Sequence, residues 1–142
     1  MLATEIVRIA ALDLGDARIG VAVPDELEIC AHPVGVIQRS GGNRDFRAIA
    51  QLLGDPPPGR WVVGLPLNMD DSEGPQAKKA RAFSKRLAGF FGVPVDLFDE
   101  RLTTFEAKER MRAAGVPARR RRALRDERAA VLILEGYLAA QR

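Results

Sequence analysis

The stretch RIAALDLGDARIGVAVPD, residues 8–25, decides the fold, because it places two apolar runs on either side of a short turn. Apolar, β-branched runs around a short turn predict a β-hairpin. The predicted turn begins with a carboxylate, Asp13, and Gly15 lies just beyond it. Asp and Gly are ordinary turn residues. A carboxylate held at a rigid strand end can also bind a ligand, and both interpretations of Asp13 remain open here.

The rest of the chain alternates between strand and helix patterns. HPVGVIQR, RWVVGLP and VPVDLFDE predict three further strands, of which RWVVGLP is typical of a buried central strand. Apolar spacing predicts a helix from Asn43, another over about residues 75–91, a third over residues 103–115 and a last one over roughly residues 118–138. This order indicates one α/β domain, residues 1–142, with a mixed sheet: an antiparallel three-strand meander plus parallel strands, flanked by helices on both faces.

The composition narrows the classes of function. The chain has 142 residues, 46% of them hydrophobic, and one cysteine, which excludes an internal disulfide and a cysteine-based zinc site. We expect that cysteine, Cys30, to be a small core residue. The single histidine, His32, follows no ligand spacing. The absence of a membrane-length apolar run predicts a cytoplasmic protein.

The charge is concentrated near the end of the chain. Residues 108–128 hold nine basic and three acidic side chains, within a net charge of +3 for the whole sequence. A solvated helix face rich in arginine would explain this, since 18 of the 22 basic residues are arginine. A surface that binds nucleic-acid phosphates would explain it equally well.

Three carboxylates are candidates for one site. Asp13 and Glu100 lie at predicted strand ends, and Asp126 shares a helix face with Ala130, Ile133 and Tyr137. A carboxylate that faces the core is costly unless it is paired or binds a metal. Pairing of Asp126 with a nearby arginine is the simpler alternative. Glu127, which shares a face with Val131, Leu134 and Leu138, competes for the same role.

If these carboxylates converge, their chemistry is specific. Carboxylate oxygens on a rigid frame bind Mg²⁺ or Mn²⁺ and leave coordination sites for water and phosphate. Two such ions activate an attacking water and stabilise the leaving oxygen of a phosphodiester. Convergence would therefore predict a metal-dependent nuclease.

Four ordered segments resemble one protein family. ALDLGDARIGVAVPD, VVGLPLNMDDSEGPQAKKARAF, DERLTTFEA and the helix from Asp126 to Leu138 are similar to the YqgF/RuvX family, over about residues 9–138. The resemblance implies an RNase H-like fold. It also implies a bacterial nuclease that resolves Holliday junctions in DNA recombination and repair or matures the 5′ end of pre-16S ribosomal RNA. Junction resolution implies a homodimer, because two opposed strands are cut.

The resemblance also assigns residues. The family's catalytic, metal-binding carboxylates fall on Asp13, Glu100 and Asp126, with Mg²⁺ or Mn²⁺ as the implied cofactor. The family's usual NMDG motif is NMDD here, so Asp71 stands in place of a glycine. Candidate nucleic-acid contacts are Arg18, Asn68, Lys78, Arg81, Arg101, Arg119, Arg120, Arg121, Arg122 and Arg125.

Two other functions remain open at this stage. A non-catalytic nucleic-acid-binding or regulatory module with the same fold would keep the basic surface without cleavage. A phosphate-binding lobe of an actin-like or sugar-kinase ATPase opens with a similar DLG hairpin, but two such lobes are needed to enclose a nucleotide.

Overall fold

The computed structural model describes residues 8–25, 30–101 and 118–141, with the helical backbone alone over residues 118–128. The strands within these ranges are β1 (Ile9–Leu14), β2 (Arg18–Pro24), β3 (Ala31–Gln38), β4 (Arg60–Leu65) and β5 (Val95–Asp99). The helices are α1 (Asn43–Leu53), α2 (Pro75–Phe91) and α3 (Ala118–Ala140). The helix predicted over residues 103–115 lies outside the described residues.

The five described strands form one mixed sheet in the order β3-β2-β1-β4-β5. β1 pairs antiparallel with β2, and β2 with β3, which confirms the predicted meander. β4 is parallel to β1 and to β5. The carboxyl ends of β1, β4 and β5 therefore meet at one edge of the sheet, where ligand sites of open α/β sheets gather.

Helices cover both faces of this sheet, as the sequence predicts. Because side chains alternate along β1, Leu12 lies on the face covered by α1 and α2, and Ala11 lies on the face covered by α3. The first face holds the larger core, in which the rings of Phe46 and Phe83 lie 5.3 Å apart. The second face has a smaller core, built on small strand residues and on the buried side chains of α3. Small residues on this side let α3 lie close to the sheet.

Apolar spacing along α2 predicts that Ala80, Phe83, Leu87 and Phe90 face inward, and the structure confirms three of these four positions. Ala80, Phe83 and Leu87 are buried, as predicted. Phe90 was predicted to face inward as well but is 39% exposed. It lies in the last turn of α2, where its ring packs against Phe46 and Phe91 and keeps its remaining surface in water.

Two further predictions about single residues are wrong. Asp13 does not begin the turn: it lies inside β1, paired with Gly20 of β2, because the ladder continues to Leu14 and Ile19. Gly15 closes the turn by donating its N–H to the Arg18 carbonyl at 2.9 Å, and a Cβ on Gly15 would lie only 2.8 Å from that oxygen. The turn thus requires glycine for its own geometry.

Cys30 is the second wrong prediction, because its side chain is exposed. It lies just before β3, and the inward position belongs to the next residue, Ala31, which is buried. The apolar context of the cysteine reflects this neighbouring strand.

A polar cluster fastens α3 to the sheet far from the carboxyl edge. The Tyr137 hydroxyl donates a hydrogen bond to Oδ2 of Asp96 on β5. The same oxygen accepts a hydrogen bond from Arg60 at 2.9 Å, at the start of β4. Tyr137 is otherwise buried, and its ring meets Phe98 edge-on. One carboxylate therefore connects β4, β5 and α3.

No helix among the described residues is long and apolar enough to cross a membrane.

The Tyr137 cluster predicts a measurable contribution to stability. Tyr137→Phe removes a hydrogen bond to a charged acceptor and should lower the free energy of unfolding by about 1.5–3 kcal/mol. Urea unfolding followed by the fluorescence of Trp61, the one tryptophan of the chain and fully buried, measures this change.

Ser84→Ala is the matched control, because it also deletes a buried hydroxyl. Its Oγ finds no hydrogen-bond partner within the described part of the chain. Removing an unsatisfied hydroxyl from a helix should leave stability unchanged or higher. Equal losses in the two variants would contradict the role assigned to the Tyr137–Asp96 hydrogen bond.

Candidate active site

Asp13 lies between two glycines on neighbouring strands. Gly20 is its partner across the β1–β2 ladder. On the other side, Leu12 of β1 pairs with Val63 of β4, so the next residue of β4, Gly64, lies beside Asp13. Both glycines lie on the α3 face, since a Cβ on Gly20 would be 3.7 Å from Ala130 and one on Gly64 would be 2.6 Å from Ile133. Asp13 therefore projects into space that no adjacent strand side chain fills.

Glu100 reaches Asp13 across this space. It follows β5 directly, two strands away from β1, and β4 lies between them. A Cβ on Gly64 would overlap the Glu100 carboxylate and lie 2.8 Å from its Cγ. The Glu100 side chain thus crosses β4 over the bare glycine. The structure brings together two of the three predicted carboxylates at the carboxyl edge of the sheet.

The two carboxyl groups share a hydrogen bond, and this changes the acidity of Glu100. Burial raises the pKa of Glu100 from its usual 4.5 to about 8, with further contributions from the Asp13 charge, from the hydrogen bond to Asp13 and from the Asp99 charge. The pair therefore holds a proton near neutral pH, which relieves the repulsion between two carboxylates.

A set of hydrogen bonds holds the turn that follows Asp13. Arg39 donates to the carbonyl of Gly15 at 3.0 Å and lies 3.8 Å from the carboxylate of Asp45. Asp45 is buried at the start of α1 and accepts the backbone N–H of Ser40 at 2.7 Å. The end of β1 is thus fixed to α1.

Helix α3 lies over the carboxylate pair. Ala130 and Ile133 face Gly20 and Gly64, and Tyr137 lies on the same face. This confirms the predicted sheet-facing positions in the second half of the helix. Asp126 lies on the helical backbone one turn before Ala130. Its side chain is outside the described part, as is that of Glu127, so convergence of the third carboxylate stays a prediction.

The donor set fits a divalent cation of the Mg²⁺ type. Asp13 and Glu100 supply hard oxygen ligands, and their shared proton would leave when a cation replaces it. Both residues line an open cleft of about 690 Å³. No group of three or more His, Cys, Asp or Glu side chains that could hold a metal occurs among the side chains that the structure describes. Asp126 is the candidate for the third ligand.

A second polar cluster lies beside Glu100 and fastens the loop between β4 and α2. Arg101 forms an ion pair with Asp99 at 2.7 Å and another with Asp71 at 2.8 Å. It also donates to the carbonyl of Asn68 at 2.9 Å. The Asp99 and Asp71 carboxylates raise the pKa of the Arg101 guanidinium, whose charge is therefore permanent.

The candidate nucleic-acid contacts have different surroundings. Arg18 is exposed and lines the cleft, and Lys78 is exposed on α2. Arg81 forms an ion pair with Glu73 at 2.7 Å, and the Asn68 amide donates to Ser72 at 3.0 Å. Helix α3 carries five further candidates whose side chains lie outside the described part: Arg119, Arg120, Arg121, Arg122 and Arg125. The direct contacts to phosphate stay a prediction.

Sequence reasoning missed the glycines that make the site possible. Gly64 interrupts the buried run RWVVGLP, and a glycine inside a strand marks the close approach of another group. That signal was present. The pairing of Asp99 and Asp71 with Arg101 had no signal of its own, because it depends on how the loop after β4 folds back.

The fold is similar to those of solved junction-resolving proteins. "T. thermophilus RuvC in complex with Holliday junction substrate" matches 96% of each chain with a TM-score of 0.57 and 17% sequence identity. The fowlpox virus Holliday junction resolvase matches 96% of this chain and 100% of its own, with a TM-score of 0.52 and 12% identity. The fold is therefore of the RNase H-like class found in RuvC-type resolvases.

Sequence comparison gives the family. The family model described as "RuvX: Holliday junction resolvase" matches residues 7–140, and the chain belongs to this family. A relative from Anaeromyxobacter dehalogenans (strain 2CP-C), named "Putative pre-16S rRNA nuclease", is 51% identical over 92% of this chain and 96% of its own. A relative of the same name from Myxococcus xanthus (strain DK1622) is 43% identical over 95% of this chain and 89% of its own. These names support a nuclease.

Gly64→Ala tests the crossing of β4 by Glu100. The new methyl group would overlap Glu100 and Ile133, and such overpacking costs about 1–3 kcal/mol. Gly20→Ala is the control, because its Cβ would have ordinary contacts at 3.7 and 3.8 Å and should stabilise by about 0.4–1 kcal/mol. Urea unfolding measures both variants, and equal effects would refute the close approach at Gly64.

The raised pKa of Glu100 predicts how the stability of the metal-free protein depends on pH. A carboxyl group with a raised pKa in the folded state stabilises fully below about pH 4.5, and this contribution is lost as the pH rises toward 8. Glu100→Gln cannot ionise, so in EDTA it should be more stable than the wild type by about 1–2 kcal/mol at pH 8. This advantage should shrink steadily toward pH 5. An advantage that does not change with pH would contradict the raised pKa.

Proposed function

We propose that the protein is a metal-dependent endonuclease that hydrolyses phosphodiester bonds in structured nucleic acid. The observation that carries this proposal is the Asp13–Glu100 carboxyl pair at the carboxyl edge of the sheet, where Glu100 crosses the bare Gly64. Two carboxyl groups that share a proton in an open cleft form an anionic, oxygen-only site. Family membership supports the same reaction class.

Asp13, Glu100 and Asp126 would hold the divalent cation, Mg²⁺ or Mn²⁺. When bound, the cation supplies Lewis-acid activation of water and stabilises the charge that develops on the phosphate. Asp13 contributes a ligand fixed by both neighbouring strands. Glu100 would contribute a half-buried carboxylate, which would give up its proton when the cation binds. Helix α3 would supply Asp126 from above the sheet.

Basic residues around the cleft would hold the nucleic-acid backbone. Arg18 lies on the cleft wall, and Lys78 is exposed on α2. The arginine run of α3 begins one residue after the helix start, at Arg119. Phosphate contacts of this kind fix the position of the backbone without reading its sequence.

The physiological substrate that we propose is precursor 16S ribosomal RNA, in the cytoplasm. The support is the name of the relatives that are 43–51% identical over nearly the whole chain. The second candidate is a four-way DNA junction, which is supported by the description of the family and by the fold of the RuvC structure. Cutting a junction would require a homodimer, because two opposed strands are cleaved.

The cleavage proposal predicts the effect of neutralising each carboxylate. Asp13→Asn, Glu100→Gln and Asp126→Asn should each lower the rate by about 100-fold or more, since even groups that only support a metal ligand are worth 10–100-fold. The assay measures single-turnover cleavage of a labelled pre-16S rRNA fragment and of a labelled four-way junction, with Mn²⁺ or Mg²⁺ and with excess EDTA.

Asp55→Asn is the charge-matched control. Asp55 is exposed in the segment before β4, at the opposite edge of the sheet, and this variant should cleave like the wild type. Full cleavage in EDTA would remove the metal from the mechanism. Binding without cleavage of either substrate would favour the non-catalytic module instead.

A further inference from the structure

The guanidinium of Arg101 is fully engaged within the protein. Its Nε donates to Asp99 at 3.0 Å, and its two terminal nitrogens reach Asp99 at 2.7 Å, Asp71 at 2.8 Å and the carbonyl of Asn68 at 2.9 Å. A weaker contact, at 3.5 Å, reaches the carbonyl of Met69. An arginine has five N–H donors, and here each nitrogen already has an acceptor. Any phosphate that binds Arg101 must therefore replace one of them.

The acceptors differ in how easily they can be replaced. Asp99 is two residues away along the chain, and its side chain is 25% exposed. The carbonyl of Asn68 also accepts a hydrogen bond from the backbone N–H of Asp71 at 2.9 Å, within the same turn. Asp71 differs from these, because its side chain is 82% exposed. Asp71 is thus the more exposed of the two carboxylates that pair with Arg101, and it covers the outward corner of the guanidinium, the part that faces water.

The backbone of Asp71 gives independent support. Its φ is 69°, in the left-handed region, where most residues other than glycine are uncommon and where aspartate and asparagine are the better tolerated exceptions. This position would accept glycine without strain, and glycine would leave the outward corner of Arg101 uncovered. Aspartate here places a carboxylate at the position where a phosphate oxygen would bind.

We propose that Asp71 is a substrate mimic that sets affinity: its carboxylate occupies a phosphate-binding position on Arg101, and the phosphodiester backbone displaces it. This inference rests on the proposed function for its ligand, nucleic-acid phosphate. Asp99 stays paired with Arg101 during the exchange and keeps the guanidinium at the end of β5. Arg101 then contacts a phosphate of the bound backbone, and Asp71 acts on binding only through Arg101.

The exchange makes a specific prediction about charge. In the wild type, the phosphate takes the place of Asp71, whose freed carboxylate then attracts a cation from solution, so this contact releases no net counterion. Asp71→Asn keeps the shape and tolerates the left-handed backbone, but it removes the negative charge that a phosphate must displace from Arg101. Affinity should rise about threefold or more, the scale of an exposed ion pair. The salt slope on a four-way junction, whose arms are duplex DNA, should steepen by about 0.9.

The experiment measures binding to a labelled four-way DNA junction and to a pre-16S rRNA fragment in EDTA, over a series of salt concentrations. Asp71→Gly is the second variant and should show the same gain. Asp70→Asn is the matched control: it makes the same charge change in the same loop, but Asp70 accepts hydrogen bonds from Ser72 at 2.5 and 3.0 Å and acts on Arg101 only weakly, through its charge. It should change affinity by less than about twofold. In an Arg101→Gln background, the gain from Asp71→Asn should disappear.

If the Asp71–Arg101 ion pair only stabilised the loop, Asp71→Asn would not raise the affinity for nucleic acid. Loosening the loop would then leave affinity unchanged or lower it, and this result would overturn the proposal. Gains of equal size in Asp70→Asn and Asp71→Asn would also overturn it, because they would indicate a general effect of charge. Because these measurements need no cleavage, failure of the nuclease assay and failure of the exchange are separate outcomes. A wild type that binds neither substrate would exclude both.

Discussion

Repulsion between two carboxyl groups is the constraint on which the active edge of this sheet depends. Asp13 and Glu100 come from strands that are not neighbours, and they meet because Gly64 leaves the surface of β4 bare between them. Burial and the Asp13 charge then raise the pKa of Glu100, so the metal-free site holds a proton. A cation would remove the same repulsion by replacing that proton. The site is therefore arranged for a positive charge.

The surrounding fold keeps this arrangement rigid. The ladder fixes Asp13 on both sides, and Arg39 connects the turn that follows it to the buried Asp45 of α1. On the other side, Arg101 fastens the loop after β4 to the end of β5. In both places an arginine donates a hydrogen bond to a backbone carbonyl that lies beyond the end of a strand and has no partner in the sheet.

The sequence predicts the fold well because periodicity and strand order are local signals. The meander, the central strand RWVVGLP and helices on both faces all follow from such patterns. Asp13 and Glu100 are predictable because both lie near the ends of strands whose carboxyl ends meet at one edge of the sheet. The errors at Asp13 and Cys30 lie near strand ends, where a shift of one residue changes the result. The β1–β2 ladder extends past Asp13, and the Cys30 side chain is exposed although its neighbour Ala31 is buried. The ion pair of Asp71 with Arg101 depends on loop geometry that no periodic pattern encodes.

The hydrogen bond from Tyr137 to Asp96 gives the last turn of α3 a fixed point on β5, in addition to the packing of Ala130 and Ile133 on the sheet. Asp126 lies eleven residues from Tyr137, which corresponds to about 16 Å along a helix. A tilt of about 5° at the fixed point would therefore move the helix by roughly 1.4 Å at Asp126. Misplacement by about 1 Å is enough to slow catalysis strongly. The accuracy with which Asp126 would meet Asp13 and Glu100 in the proposed site therefore depends partly on Tyr137, in the last turn of α3 and far from the carboxyl edge of the sheet.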